Sequence, residues 1–270
     1  MSGAAVADPP LYWRRYGQGD KTAVALHCSL AHSGKFAGLA AALPEFGLIA
    51  PDLPGHGRSA DWSGRGDYHS ETTRDVLAML AQLDLGAVPL IGHSFGATVA
   101  LRVALERPEA VSALVLIEPV LFCAARAAGG PSFAAHLAAH AGFAAARRVG
   151  DLHKAAAAFQ AIWGAGLAFD ALPEAQQDYI SARTPLVAAT NPVLNDDAAG
   201  MLVYGRLESL GVPVLLVQGD QSPPIIDAIH TELARRLPQV QRAQVVGAGH
   251  MLPVTHPRDC AALIRAFLSP

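Results

Sequence analysis

The chain has 270 residues, which suits one domain with an insertion or two small domains and is enough to bury a large core. Hydrophobic residues make up 51% and charged residues 16%, and no apolar run reaches the roughly 20 residues that cross a bilayer. The net charge is -3 and the basic residues are scattered, which argues against nucleic acid or a membrane surface as a partner.

The cysteine pattern and the first residues bear on the cellular compartment. The three cysteines are far apart and show neither a disulfide framework nor the spacing of zinc ligands: Cys28, Cys123 and Cys260. Residues 1–10 have no basic start and no apolar centre, unlike a secretory signal. Together these features predict a protein of the reducing cytoplasm.

Short apolar runs alternate with helical patterns up to residue 120. The predicted strands are residues 11–16, 22–27, 48–50, 88–91 and 113–117. The predicted helices are residues 35–43, 70–83 and 97–106, with Ser70 as the N-cap of the second. Continuous apolar strands that alternate with helices are typical of a mostly parallel sheet covered by helices on both faces. The sequence therefore predicts an α/β fold.

The pentapeptide Gly92-His93-Ser94-Phe95-Gly96 separates a predicted strand from a predicted helix. In this context a Gly-x-Ser-x-Gly turn presents its serine hydroxyl at the edge of a sheet. The two glycines would let the strand and the helix approach closely. The alternative is a phosphate-type or packing turn in which the serine has no chemical role, and the flanking strand and helix favour a nucleophile instead.

Polar side chains stand where predicted strands end. His27 ends one strand, and Ser94 and Glu118 follow two others. In an open α/β sheet, ligands bind in the crevice beyond the carboxyl ends of the strands. We therefore expect these side chains to border a binding crevice.

The alternation stops between residues 121 and 204, where the chain is rich in alanine. Helical patterns in this segment are broken at glycines and prolines, the last of them Pro185. We predict an all-helical cap over residues 121–204, with a core domain formed by residues 1–120 and 205–270. Aromatic residues of the cap would pack it and line a pocket: Phe122, Phe133, Phe143, Phe159, Trp163 and Phe169.

The strand and helix patterns resume after the predicted cap. Residues 212–217 and 243–246 are predicted strands, and residues 225–237 and 258–268 are predicted helices. The loop after the last strand carries Gly249-His250. This region therefore completes the predicted sheet and adds a histidine near its carboxyl edge.

These motifs together resemble those of the α/β-hydrolase fold superfamily with a helical cap, over nearly the whole chain. The resemblance rests on His27 with Ser29, the run Asp52-Leu53-Pro54-Gly55-His56-Gly57-Arg58-Ser59, the pentapeptide around Ser94, and Gly249-His250. It implies a serine hydrolase in which nucleophile, acid and histidine follow one another in that order.

Catalysis by Ser94 would need a base within hydrogen-bond reach, and His250 is the candidate. The tetrahedral intermediate would need two backbone N–H donors. The position after the nucleophile gives Phe95 as one donor, and the resemblance implies Ser29 as the other. Cys28 stands where the family usually has glycine, which bears on the conformation of this loop.

The acid of the predicted triad has more than one candidate. Relatives commonly carry it three residues after the glycine that ends the strand before the last, and here that position is Ser222. Glu118 ends a neighbouring strand and is the first choice, because some family members resemble this chain by placing their acid there. Asp220 is the second choice, and the absence of any carboxylate beside the histidine is the third alternative.

Other histidines receive different interpretations. His27 and His93 are expected to hydrogen-bond to the backbone and to shape loops. His136 and His140 have the i, i+4 spacing of metal ligands, but a third ligand is not evident, so we predict neither metal nor cofactor.

The predicted reaction is cleavage of a small, mostly apolar ester, thioester, amide or carbon–carbon bond by way of an acyl-enzyme. A ligand-binding protein of the same fold with little turnover is one alternative, supported by the serine at position 222. A cofactor-free perhydrolase or haloperoxidase-like enzyme is another. The expected partner is a small-molecule substrate, and the predicted cap is a candidate homodimer interface.

Overall fold

A computed structural model describes residues 11–269, and its centre is a seven-stranded sheet. The strand order is β1-β3-β2-β4-β5-β6-β7, and all neighbours are parallel except β1 and β3. The strands are β1 Trp13–Tyr16, β2 Lys21–Leu26, β3 Phe46–Pro51, β4 Val88–His93, β5 Val111–Ile117, β6 Val214–Gly219 and β7 Val240–Val245. The prediction of an absent secretory signal falls on residues 1–10, outside the described part.

Helices cover both faces of this sheet. Those outside the connection between β5 and β6 are α1 Ala37–Ala41, α2 Tyr68–Leu83, α3 Phe95–Glu106, α10 Pro224–Arg236, α11 Leu252–Thr255 and α12 Pro257–Leu268. Within residues 11–269, no helix has both the length and the apolar character needed to cross a bilayer.

Alternate residues of the central strands enter two different cores. In β2, Val24 and Leu26 join the core beneath α2, α3 and α10, whereas Ala23 and Ala25 join the core beneath α1 and α12. This alternation follows from the two-residue period of a strand. It explains why these strands read as continuous apolar runs, and it confirms the predicted α/β class.

Some predicted boundaries were wrong. Asp67, not Ser70, is the N-cap of α2: its carboxylate accepts a hydrogen bond from the amide of His69 at 2.8 Å. Ser70 instead donates its hydroxyl to that carboxylate at 2.6 Å. The last strand also begins earlier than predicted, because its first residues lie at the sheet edge and alternate too weakly in polarity to be recognised.

All the regular secondary structure in the connection between β5 and β6 is helical. Its helices are α4 Phe122–Ala128, α5 Ser132–Ala139, α6 Ala141–Arg148, α7 Leu152–Trp163, α8 Glu174–Ala189 and α9 Asn191–Leu194, and we call them the helical insertion. Its division from the core at residues 121 and 204 stays a prediction.

The predicted break at Pro185 was wrong, because α8 continues through this residue. Proline lacks the N–H that would bond to the carbonyl of Ser181. The hydroxyl of Thr184 donates to that carbonyl instead, at 2.9 Å. A neighbouring side chain thus supplies the hydrogen bond that the proline removes.

Tyr179 on α8 ties the helical insertion to the core. Its hydroxyl donates to the carbonyl oxygen of Ala31 at 2.8 Å and accepts from the amide of Gly57 at 3.0 Å. We expect Tyr179→Phe to lower the free energy of unfolding by about 1–2 kcal/mol, since both partners lose a bond. Thermal unfolding measures this, with Tyr204→Phe as the control because Tyr204 is 90% exposed. Equal melting temperatures for the two variants would contradict the role of this contact.

Candidate active site

Ser94 lies in a strained turn between β4 and α3. Its backbone has φ 56° and ψ -116°, a region that costs a residue other than glycine on the order of 1–3 kcal/mol. A Cβ added at Gly92 would come within 2.3 Å of the Cα of Ala97, and one added at Gly96 within 2.2 Å of the carbonyl oxygen of Leu26. Both positions therefore require glycine, as the sequence motif predicted.

A continuous hydrogen-bonded chain joins three side chains at the carboxyl edge of the sheet. The Nε2 atom of His250 lies 3.0 Å from Oγ of Ser94, and its Nδ1 atom lies 2.7 Å from Oε2 of Glu118. All three side chains are buried. Because a carboxylate only accepts, Nδ1 donates to Glu118, which leaves Nε2 free to accept the Ser94 proton.

The environment of Glu118 favours its charged form. Its other oxygen, Oε1, accepts hydrogen bonds from the amide of Gly219 at 2.7 Å and from the hydroxyl of Ser222. Burial alone would raise the pKa of Glu118, but the hydrogen bonds from His250, Gly219 and Ser222 outweigh it and hold the pKa below its usual value. The serine at the family's usual acid position therefore serves as a donor to the carboxylate.

Asp220 lies elsewhere. Its carboxylate is exposed and accepts a hydrogen bond from the amide of Gly247 at 2.7 Å. The second-choice acid thus caps the turn that follows β7 and makes no hydrogen bond to His250. The third alternative, a histidine without a carboxylate, is wrong as a description of the geometry, because Glu118 occupies that place.

The amides of Ser29 and Phe95 are available to a ligand. Within residues 11–269, neither donates a hydrogen bond, and Ser29 lines the same cavities as Ser94. Phe95 begins α3, so its N–H has no acceptor within the helix. The geometry is compatible with the oxyanion site that the sequence predicted.

The loop that carries Ser29 adopts its conformation without a glycine at Cys28. The residue with a left-handed backbone is Leu30, with φ 61°, and its amide donates to Nε2 of His56 at 3.1 Å. Burial raises the pKa of the Cys28 thiol to about 12, so this side chain is a packed, protonated thiol at neutral pH.

His27 and His93 hydrogen-bond to the backbone, as predicted. Nε2 of His27 accepts from the amide of Leu53 at 2.9 Å. Nε2 of His93 lies 2.8 Å from the carbonyl oxygen of His250 and donates to it. His93 therefore holds the loop that carries His250. The two residues are far apart in the sequence, so this contact could not be predicted from it.

Two cavities meet at Ser94. The larger has a volume of about 430 Å³ and the smaller about 300 Å³. Ser29, Ser94, Phe159 and Trp163 line both, so the two aromatic rings stand between them. The ring of Trp163 also packs edge-on against His250, with 4.5 Å between ring centres. The site is thus enclosed by the helical insertion, as its aromatic residues suggested.

His136 and His140 belong to this enclosure and form no metal cluster. Nε2 of His140 accepts from the indole N–H of Trp163 at 2.7 Å, and its Nδ1 donates to the carbonyl oxygen of His136 at 2.9 Å. Both nitrogens of His140 are therefore occupied. Over residues 11–269, no group of three or more His, Cys, Asp or Glu side chains is arranged to hold a metal ion.

Five of the buried histidines predict that the fold is sensitive to acid. Burial lowers the pKa to about 4 for His27 and His230, and to about 3 for His56, His69 and His93. Below pH 6.5, the ordinary histidine value, the unfolded chain takes up protons that the folded protein does not. Each such group weakens folding by about 1.4 kcal/mol per pH unit. We expect cooperative acid unfolding near pH 5, give or take about half a unit, in circular dichroism.

His230 provides a variant for this prediction. It is fully buried, and neither ring nitrogen has a hydrogen-bond partner among residues 11–269. His230→Leu should move the acid midpoint to lower pH and reduce the proton uptake on unfolding by about one. His153→Leu, at an exposed position, is the control. An acid midpoint that does not move in His230→Leu would contradict the account.

Comparisons with known proteins agree with this fold. A model of the family described as "alpha/beta hydrolase fold" matches residues 24–257. The chain is 39% identical over 118 residues to Lipase LipV of Mycobacterium tuberculosis, a match that covers 41% of this chain and 42% of that protein. It therefore spans less than half the length of that relative.

Two other matches extend over nearly the whole chain. Pimeloyl-(acyl-carrier protein) methyl ester esterase of Yersinia pseudotuberculosis is 27% identical over 264 residues, covering 95% of this chain and 96% of that protein. The solved structure of a hydrolase from Pseudomonas aeruginosa is similar in fold, with a TM-score of 0.74 at 20% identity, covering 96% of this chain and 94% of that one. The chain belongs to the α/β-hydrolase fold family of enzymes.

Proposed function

We propose that this protein is a serine hydrolase that cleaves a small, mostly apolar, ester-like substrate by way of an acyl-enzyme. The observation that carries the proposal is the hydrogen-bonded chain from Ser94 through His250 to Glu118. An ester is the substrate class we favour among ester, thioester, amide and carbon–carbon bonds. The names of the matched lipase and methyl ester esterase support that choice.

In the first half of the reaction, Oγ of Ser94 attacks the carbonyl carbon while Nε2 of His250 takes the serine proton. The carbonyl oxygen becomes an oxyanion, which the amides of Ser29 and Phe95 stabilise by hydrogen bonds. When the intermediate collapses, the bond to the leaving group breaks and His250 returns the proton to that group. The product is an ester between the acyl group and Ser94.

In the second half, a water molecule takes the place of the leaving group. His250 accepts a proton from this water as its oxygen attacks the acyl carbon, and it then returns the proton to Oγ of Ser94. Glu118 keeps Nδ1 protonated throughout, so that Nε2 is always the nitrogen that faces Ser94. Its negative charge also stabilises the imidazolium that forms at each step.

The enclosure of the site supports an apolar substrate. Both cavities that meet at Ser94 are bordered by aromatic and aliphatic side chains of the helical insertion, including Phe159 and Trp163. Binding sites for small molecules are typically apolar with a few fixed polar groups. We propose that a small-molecule substrate lies between the sheet and this insertion.

A panel of p-nitrophenyl esters with increasing acyl length, set beside the matching p-nitroanilides, tests the proposal. We expect ester hydrolysis with a rapid burst of p-nitrophenol, because acylation of Ser94 releases it before the slower hydrolysis of the acyl-enzyme. Peracid formation from an ester and hydrogen peroxide would favour a perhydrolase. Saturable binding of the esters without turnover would contradict the proposal and favour a ligand-binding protein.

The cysteines support a reducing compartment. All three are free and buried: Cys28, Cys123 and Cys260. We propose a cytoplasmic location on this basis.

We also propose a homodimer formed through the helical insertion. Sedimentation velocity tests the oligomeric state, and a single monomeric species at micromolar concentrations would contradict the homodimer.

A further inference from the structure

We propose that the larger cavity binds the acyl chain and that His136 makes a hydrogen bond there to an oxygen-bearing group of that chain. The inference rests on the proposed hydrolase function and narrows its substrate class. It assigns to His136 the selection of acyl groups that carry a ketone, hydroxyl or amide over plain alkyl chains.

The position of His250, the proposed base, determines which cavity receives the leaving group and which receives the acyl chain. Nε2 of His250 must reach the leaving group to protonate it, so the leaving group lies on the side of His250. His250 lines the smaller cavity and does not line the larger one, whereas Ser94 and Ser29 line both. The leaving group therefore occupies the smaller cavity, and the acyl chain extends into the larger one.

His136 is a fixed and unpaired polar group in that larger cavity. Its ring lies between the rings of Phe122 and His140, with 4.0 Å and 4.1 Å between ring centres. Its side chain lines the cavity, and the residue is only 9% exposed. Within residues 11–269, neither of its ring nitrogens has a hydrogen-bond partner. The ring is thus held in place while its polar edge is available to a ligand.

The chemistry of the ligand follows from the state of this ring. Burial, with a smaller effect from the neighbouring His140, lowers the pKa of His136 to about 3, so the imidazole is neutral at pH 7. A neutral imidazole offers one N–H donor and one acceptor nitrogen. A ketone would accept from it, and a hydroxyl or an amide could bond to either nitrogen.

A plain alkyl chain would exclude water from the ring nitrogens of His136 without offering them a hydrogen bond. A buried polar group without a partner costs about 1–3 kcal/mol, which is the source of discrimination in sites that hydrogen-bond their substrates. Arg147 lines the same cavity, and its buried Nε also has no partner among residues 11–269. The larger cavity is therefore adapted to an acyl chain that is not purely hydrocarbon.

The test compares p-nitrophenyl octanoate with oxo-octanoates whose ketone stands at successive positions along the chain. We expect the wild-type protein to favour one oxo ester in kcat/KM by about tenfold, and His136→Phe to abolish that preference. The phenyl ring keeps the stacking between Phe122 and His140. His136→Gln should restore part of the preference, and His153→Phe, a surface change on α7, should leave it unchanged.

A binding measurement keeps the inference separate from the proposed function. Calorimetric titration of Ser94→Ala protein, with and without His136→Phe, by methyl octanoate and the same oxo methyl esters needs no turnover. A preference for the oxo esters that His136→Phe removes supports the inference, even if the wild-type protein hydrolyses none of these esters. That absence of hydrolysis would contradict only the proposed function. Equal affinity for oxo and plain esters, or a preference that survives His136→Phe, overturns the inference.

Discussion

Ser94→Ala should lower kcat for ester hydrolysis by about 10⁶-fold, to the level that binding and the oxyanion donors alone can supply. The variant removes the only protein atom that forms a bond to the acyl carbon in the proposed mechanism. We expect its melting temperature to stay within a few degrees of the wild-type value, because the hydroxyl of Ser94 makes no bond other than that to His250 among residues 11–269. Steady-state kinetics on p-nitrophenyl esters, together with thermal unfolding, measures both quantities.

His250→Ala serves as the partner variant for this prediction. Since Ser94 and His250 act as a unit, the loss from both substitutions together should be no larger than about the loss from either one. Additive losses in the double variant would mean that the two side chains act in separate steps. Ser94→Ala with more than a hundredth of the wild-type kcat would contradict the role of Ser94.

Glu118→Gln should lower kcat by about 10⁴-fold with little change in KM. Glutamine keeps the size of glutamate, and its carbonyl oxygen can still accept hydrogen bonds. Its amide N–H₂ can donate to Nδ1 of His250, which stabilises the tautomer whose proton lies on Nε2 and faces Ser94. The base is then blocked, and the imidazolium loses its neighbouring negative charge.

Asp220→Asn is the matched control, because it makes the same change in charge at the other candidate acid. Asp220 is exposed and bonds to Gly247, so we expect kcat to change by less than about threefold. A large loss in Asp220→Asn combined with a small loss in Glu118→Gln would mean that the acid had been assigned to the wrong residue. Ser222→Ala removes a hydrogen-bond donor to Glu118. We expect its loss in kcat to be larger than that of Asp220→Asn and smaller than that of Glu118→Gln.

The strand, turn and helix around Ser94 could be predicted from sequence because their determinants are local. An apolar run, a glycine on each side of Ser94 and a helical run define the turn, and the collisions at Gly92 and Gly96 show why. The parallel sheet could likewise be predicted, since its central strands are buried on both faces. Weakly patterned edges, such as β7, were placed less well.

The partners of His250 depend on contacts between distant segments. Glu118 follows β5 and Ser222 follows β6, and the pairing of these strands brings both to one place. The sequence offered Glu118 and Asp220 as alternatives, because distance along an extended strand does not tell which side chain turns toward the histidine. The hydrogen bonds from Gly219 and Ser222 to Glu118 were not predicted.

The interior of the helical insertion was the least predictable part. Alanine dominates its helices and fits buried and exposed positions alike, so the sequence could name aromatic residues but not their neighbours. The contact of Trp163 with His250, the bond from Trp163 to His140, and the unpaired ring of His136 all arise from the packing of these helices. The i, i+4 spacing of His136 and His140 could be seen in the sequence. The sequence could not show that the indole N–H of Trp163 donates to His140.

Covalent labelling with a fluorophosphonate tests the activation of Ser94 most directly. Intact-mass and peptide analysis of the wild-type protein should show one adduct, located on Ser94. The adduct should be absent in Ser94→Ala and should form much more slowly in His250→Ala and Glu118→Gln, although all three variants remain folded. Well-folded wild-type protein that does not react, or that is labelled at another residue, would contradict the account.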